Sequence, residues 1–263
     1  MVNNKSPLRY PGGKTRACKI LDIVLNEYFN ITKFDNLISP FFGGGSFELY
    51  LQNKYNLKIL CNDKFYPLYN FWLNCKNNKE QLCTELYKYI NTIEKKDFDH
   101  FRKIIMVESD IFKQSVIYFI LNRCSFSGST LSGGFSLEAS KKRFTKSSID
   151  RINNLNLENI NIYNLDFEDF INKFDNNLNI IFLDPPYYLK NKSNLYGNNG
   201  DMHESFDHNK LYLCLIKKNN WIMTYNNCDY IKNLYKDFKI IETNWSYSMN
   251  KSKISSEIII INN

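Results

Sequence analysis

Short apolar runs alternating with helix-like stretches at both ends of the 263-residue chain predict an α/β fold built on a doubly wound parallel sheet. Two further observations support it. The runs stop at polar or turn residues, as buried parallel strands do, and the middle of the chain lacks strands of that type. The first run (Phe34, Leu37, Ile38) closes over Asn36–Ser39 and leads straight into Phe41-Phe42-Gly43-Gly44-Gly45. Leu57–Cys61 is the second, stopped by Asn62-Asp63, and Ile180–Leu183 is a β-branched run halted by Asp184-Pro185-Pro186. Trp221–Thr224 and Ile258–Ile261 read as two more strands. Helix-like stretches cover Thr15–Phe29, Ser46–Lys54, Pro67–Asn74, Lys79–Glu94 and Phe112–Leu121. From about 70 to 150 the pattern is mainly helical and ends in Gly/Ser-rich and then basic sequence. The expected organisation is therefore a core of residues 1–69 and 161–263 with an insertion at 70–160. Tyr188–His208 is polar and rich in Gly and Asn, the composition of a mobile loop.

Composition narrows the function classes. Lys+Arg 34 against Asp+Glu 27 gives a net charge of +7, which permits an anionic partner without demanding one. The seven cysteines contain no CxxC pair, and with three histidines neither a structural metal nor a disulfide framework is expected. The start has no apolar leader, and no apolar run approaches the roughly 18 residues of a membrane span, so a soluble intracellular protein is expected.

Three constellations carry chemistry. Gly43-Gly44-Gly45 sits between a strand and a helix, where glycine allows close backbone approach to a ligand and a helix N-terminus offers free N–H donors. A flexible turn would use the same triplet. Asp63, 18 residues further on at the end of the next apolar segment, favours a nucleoside site, because an acidic residue about 20 residues past such glycines hydrogen-bonds ribose hydroxyls. Pro11-Gly12-Gly13-Lys14-Thr15 is not a P-loop, since position 8 is Leu, but Lys14 is a cation beside two glycines and suits a carboxylate or phosphate. Asp184-Pro185-Pro186-Tyr187 caps a strand with a stiff turn that presents a carboxylate, a carbonyl without competing N–H donors, and a ring. That set suits an amino group on a flat ring, with stacking worth about 1–3 kcal/mol per base.

The segments SPLRYPGGK (6–14), ISPFFGGGSFE (38–48) and DPPYY (184–188) together resemble the Dam-type N6-adenine DNA methyltransferases (D12 class, alpha group), in that family's order. Further matches are CND with Asp63, LNR at 121–123, FDHNKL at 206–211 and WIMTYNN at 221–227, so the resemblance spans Pro7 to Asn262. It implies a Rossmann-like S-adenosylmethionine-dependent methyltransferase fold with a mainly helical target-recognition insertion. The implied reaction moves a methyl group from S-adenosyl-L-methionine to the exocyclic N6 of adenine in double-stranded DNA, without a metal. It implies that Tyr10, Lys14, Phe42, Gly43, Gly44, Gly45, Asp63, Asp166 and Asp184 contact the cofactor. Lys14 would face the methionine carboxylate and Asp63 the ribose.

The N6 lone pair is delocalised into the purine, so the amine is a poor nucleophile. Asp184 and the Pro185 carbonyl can accept its N–H bonds and localise that pair, with Tyr187 against the ring. The target atom is hidden in a duplex, so the base must flip, at a cost of a few kcal/mol, with Tyr187 and Tyr188 receiving it. Arg123, Ser125, Ser127 and the basic run Lys141, Lys142, Arg143 are the expected DNA contacts of the insertion. Phe126 and Phe135 are expected to pack. The insertion departs from GATC-specific relatives, so that recognition sequence is not implied. The alternatives are a cytosine-N4 DNA or adenine-N6 RNA methyltransferase, or an inactive DNA-binding protein. A paired restriction nuclease is one partner open to such an enzyme, and the cytoplasm its expected location.

Overall fold

The computed structural model describes residues 5–188, 206–245 and 255–263. Seven strands form one sheet: β1 (Asn36–Ser39), β2 (Lys58–Asn62), β3 (Ile160–Tyr163), β4 (Asn179–Leu183), β5 (Trp221–Asn226), β6 (Lys239–Trp245) and β7 (Ser255–Asn262). Their spatial order is β3-β2-β1-β4-β5-β7-β6. β1 lies between β2 and β4, parallel to both, with Leu37 opposite Ile59 and Ile180. β7 runs antiparallel between β5 and β6.

The strands alternate in burial between two apolar layers. Leu37, Ile59, Ile180, Phe182 and Ile222 face one layer, while Ile38, Leu60, Ile181, Leu183 and Met223 face the other. Side chains of period two on a fully buried strand produce this split, and it explains why each run is apolar on both faces. The first layer is covered by α1 (Cys18–Tyr28), α2 (Ser46–Tyr55), α3 (Tyr66–Asn77) and the helices of the middle region. These are α4 (Lys79–Tyr87), α5 (Lys95–Ile104), α6 (Ile111–Cys124) and α8 (Lys146–Asn153), with α7 (Leu137–Lys142) packed on α6. The second is covered by α9 (Phe167–Phe174), α10 (His208–Leu215) and α11 (Asp229–Leu234).

All five strands read from the sequence are present; β3 and β6 are additions. β3 lies at one edge and β6 at the other. INIY and KIIETNW mix polar residues into short segments, because an edge strand is not buried like a central one. The helix expected over Lys79–Glu94 ends at Tyr87, and Asn91 adopts a left-handed φ of 64° in the turns that follow. Capping interactions at Glu94–Asp97, Asp110, Ser136 and Thr145–Ser148 start the remaining middle helices. The expected boundary at residue 70 falls inside α3, and Phe98, Phe119 and Phe144 share one continuous core with Leu37 and Ile59. Most of the loop expected over Tyr188–His208 (189–205) lies outside the described residues, and His208 itself opens α10.

Candidate active site

At the carboxyl ends of β1 and β4, where connections leave the sheet to opposite sides, a cleft of about 850 Å³ opens. An α/β sheet binds ligands at such a switch point. The Pro11–Lys14 turn, Gly43–Gly45, Asp63, Asp166 and Asp184–Tyr187 all line it, so segments far apart in sequence meet in one cavity.

The glycine turn is held from three sides. Gly43 and Gly45 have φ of +50° and +63°, and Gly45 N–H donates to the Phe42 carbonyl at 2.7 Å. The Asp63 carboxylate accepts from Gly43 N–H and Phe65 N–H, each at 2.9 Å. From the other side Trp72 Nε1 donates to the Gly43 carbonyl at 2.9 Å. Tyr10 covers the turn so closely that a Cβ on Gly43 or Gly44 would lie 2.9 or 2.8 Å from it. Phe42 is buried against Trp72 with ring centroids 4.9 Å apart, supporting the turn from beneath. Burial pushes the Asp63 carboxyl up to about 6, against the two backbone N–H bonds that favour its charged form.

Lys14 and Asp184 pair in the same cleft. Lys14 is buried, its ammonium lies 2.6 Å from both carboxylate oxygens of Asp184, and it also donates to the Gly12 carbonyl at 3.0 Å. The buried Thr224 hydroxyl, one strand over, donates to Asp184 Oδ1 at 2.7 Å. Tyr187 lies with its ring 5.1 Å from the Lys14 ammonium and stacks on Tyr225 at 5.8 Å. Tyr225 is in turn hydrogen-bonded to His208. Tyr188 is stacked on Tyr230 at 4.2 Å, and its carbonyl accepts from Asn226 Nδ2 at 2.9 Å. Asp166 caps α9 and accepts from Lys64 and Lys210 at 3.0 and 3.1 Å. Burial pushes its carboxyl up, but these two lysines outweigh that and hold it below the usual carboxylate range.

The DNA-contact expectations need correction at two residues, Arg123 and Ser125. Arg123 is buried: its Nε and Nη2 donate to the Arg143 carbonyl at 2.8 and 2.5 Å, and Nη1 donates to the Pro7 carbonyl at 3.1 Å. Burial, with Arg9, Arg151 and Arg143 nearby, lowers its pKa to about 9. It ties the N-terminal segment to the middle helices instead of reaching DNA. Ser125 is buried too; its hydroxyl donates to the Asn122 carbonyl and accepts from Thr130 N–H. Phe126, expected to pack, is instead 70% exposed, while Phe135 packs on Phe98 as expected. Lys142 pairs with Glu138 one helical turn away at 3.1 Å. Ser127, Lys141, Lys142 and Arg143 are exposed, Ser127 with φ of 53°.

Several residues of the site lie inside the matched segments but carried no assigned role. Asn62 stitches the sheet edge, donating to the Pro40 and Leu165 carbonyls at 3.1 Å. Asn122 accepts from Arg9 N–H at 2.9 Å and donates to the Arg9 carbonyl at 2.8 Å, fixing the RYPGGK segment on α6. Glu48 and Thr224 lie within helix and strand patterns that read as packing.

The glycine turn, Asp63 and the Asp184-Pro185-Pro186-Tyr187 edge thus meet in one cleft of a doubly wound sheet. Residues 10–249 match the family of D12 class N6 adenine-specific DNA methyltransferases, and the chain belongs to that family. It is an enzyme that methylates adenine in DNA at N6. The chain is also similar to the type II methyltransferase M.MjaIII of Methanocaldococcus jannaschii, 25% identical over 262 residues, which cover 89% of this chain and 88% of that protein.

Proposed function

We propose that the cleft holds S-adenosyl-L-methionine along the glycine turn and a flipped adenine at Asp184-Pro185-Pro186-Tyr187, in the manner of Dam-type enzymes. The residues present fit that cofactor. Gly43 and Gly44 leave a wall on which any Cβ would collide, Asp63 offers a carboxylate of the kind that takes ribose hydroxyls, and Lys14 suits a carboxylate. Tyr10 and Phe42 shape the turn, and Asp166 also lines the cleft. When bound, the cofactor supplies an electrophilic methyl group.

The chain's own part is to hold and activate the amine. Asp184 and the Pro185 carbonyl accept the N6 protons, and Thr224 and Lys14 keep the Asp184 carboxylate in one orientation. Tyr187, backed by Tyr225, offers the stacking face, while the Tyr188 ring is already engaged with Tyr230 and supports it from outside. A carboxylate is a poor base toward a neutral ring amine, so the Asp184 carboxylate need not remove a proton before transfer. It serves as proton acceptor once methylation has made the nitrogen cationic.

The carrying observation is the meeting of Lys14 and Asp184, 170 positions apart, in the cavity that also holds Asp63 and the glycine turn. Residues 70–160 are the target-recognition region, with exposed Ser127, Lys141, Lys142 and Arg143 on its surface. The type II label of the M. jannaschii relative supports a pairing with a restriction nuclease. A DNA substrate supports a cytoplasmic place of action; among the described residues no helix is long and apolar enough to cross a membrane. The test is a pair of variants. Asp184→Ala should abolish methyl transfer with duplex binding retained, and Asp63→Ala should weaken cofactor binding more than DNA binding. Undiminished transfer in the first, or equal losses in the second, contradicts the assignment.

A further inference from the structure

Glu48 is a buried carboxylic acid that the proposed chemistry does not use. It lies in the first turn of α2, is 3% exposed, and lines the same cleft as the Lys14–Asp184 pair. Ser39, at the end of β1, donates its hydroxyl to Glu48 Oε1 at 2.6 Å. The titratable groups around it come from every neighbouring element: Lys14 and Cys18 from the N-terminal segment, Cys61 from β2 and Asp184 after β4. Cys18 donates to the Lys14 carbonyl and Cys61 to the Asn161 carbonyl, and burial holds both thiols neutral. Lys14 is paired with Asp184 at 2.6 Å, and among the described residues no cation forms an ion pair with Glu48. Burial, relieved in part by the Ser39 bond, pushes its carboxyl up to about 7, with Asp184 adding to the shift and Lys14 opposing it. An acid in this position responds to any change of charge in the cleft.

We propose that Glu48 is a positioning residue that senses cofactor charge: it ionises when the cationic sulfonium cofactor is bound and regains a proton from solvent when the neutral thioether product takes its place. The inference rests on S-adenosylmethionine being the cofactor. The consequence is discrimination. The ionised carboxylate favours the sulfonium, and loss of that positive charge on transfer removes the reason for Glu48 to stay ionised, so product is held less tightly relative to substrate.

The test is calorimetric titration of the full-length protein with S-adenosylmethionine and with S-adenosylhomocysteine at pH 7, in phosphate and in Tris, whose different ionisation heats report protons released. The two ligands share the nucleoside and amino-acid parts, so the difference between them isolates the response to the sulfonium. The wild type should release more protons with S-adenosylmethionine than with S-adenosylhomocysteine. Glu48→Gln should abolish that difference and lower the substrate-to-product affinity ratio about tenfold, the equivalent of one pKa unit, while still binding S-adenosylhomocysteine. Equal proton release by the two ligands in the wild type, or an unchanged difference in Glu48→Gln, would overturn the role of Glu48. Failure of the wild type to bind either ligand would overturn the cofactor assignment itself.

Discussion

Asp63 makes the site pH-dependent in a calculable direction. Its folded pKa, about 6, lies above the usual 3.8 of an aspartate, so the folded chain holds a proton that the unfolded chain releases. Its contribution to stability is therefore complete below about pH 4 and falls as pH rises to about 6. Ligand hydroxyls that donate to the carboxylate favour the charged form and reverse that trend for binding. S-adenosylhomocysteine affinity should rise about tenfold from pH 5 to pH 7, and Asp63→Asn should flatten the profile; a flat wild-type curve from calorimetry would contradict the assignment. Glu48 follows the same sign at higher pH. Glu48→Gln should raise the unfolding temperature of the ligand-free protein at pH 8 and leave it little changed at pH 4, since the penalty of ionising a buried acid is a few kcal/mol only where it is ionised. At this scale the sequence was readable where chemistry repeats as a motif, as at Lys14, Asp63 and Asp184. Glu48 closes the matched segment ISPFFGGGSFE, but its role was not readable, because FELYL is also what a packed helix looks like. Arg123 misled for the same reason in reverse: its partners are carbonyls of Pro7 and Arg143, distant in sequence, and nothing local announces that an arginine will be buried.

The turn elements decide how rigid the site is. Gly45 has φ of +63° and a Cβ there would come within 2.6 Å of the Phe42 ring. Gly45→Ala should cost about 1–3 kcal/mol through backbone strain and the clash together, read as a lower unfolding temperature and weaker cofactor binding. Full retention of both would mean that the turn is softer than its hydrogen bonds suggest. The Ser125–Thr130 turn is fastened in a similar way. Arg9 Nη1 donates to the Ser125 carbonyl at 3.0 Å, and a Cβ on Gly128 would strike Arg9 at 2.6 Å. That rigidity leaves Phe126 exposed on a fixed support. Central strands were legible because burial on both faces makes them uniformly apolar; β3 and β6 were not, because edges tolerate Asn, Thr and Lys.

Across the whole molecule, recognition depends on where the net charge of +7 sits. Lys141 and Arg143 are exposed on the middle region, whereas Arg123 is spent on the fold. Arg123→Ala should therefore destabilise the protein by about 2–4 kcal/mol, by stranding buried carbonyls. Lys141→Ala should leave stability unchanged and reduce the slope of log affinity against log salt by about 0.9 if it neutralises one phosphate. Unfolding and salt-titrated DNA binding of the two variants separate the roles, and an exchange of those outcomes would reverse them. The most direct test of the account is nucleoside mass spectrometry of duplex DNA after incubation with S-adenosylmethionine and either the wild type or Asp184→Ala. The account predicts N6-methyladenine from the wild type and none from the variant. N4-methylcytosine in its place, or equal N6-methyladenine from both, would contradict it.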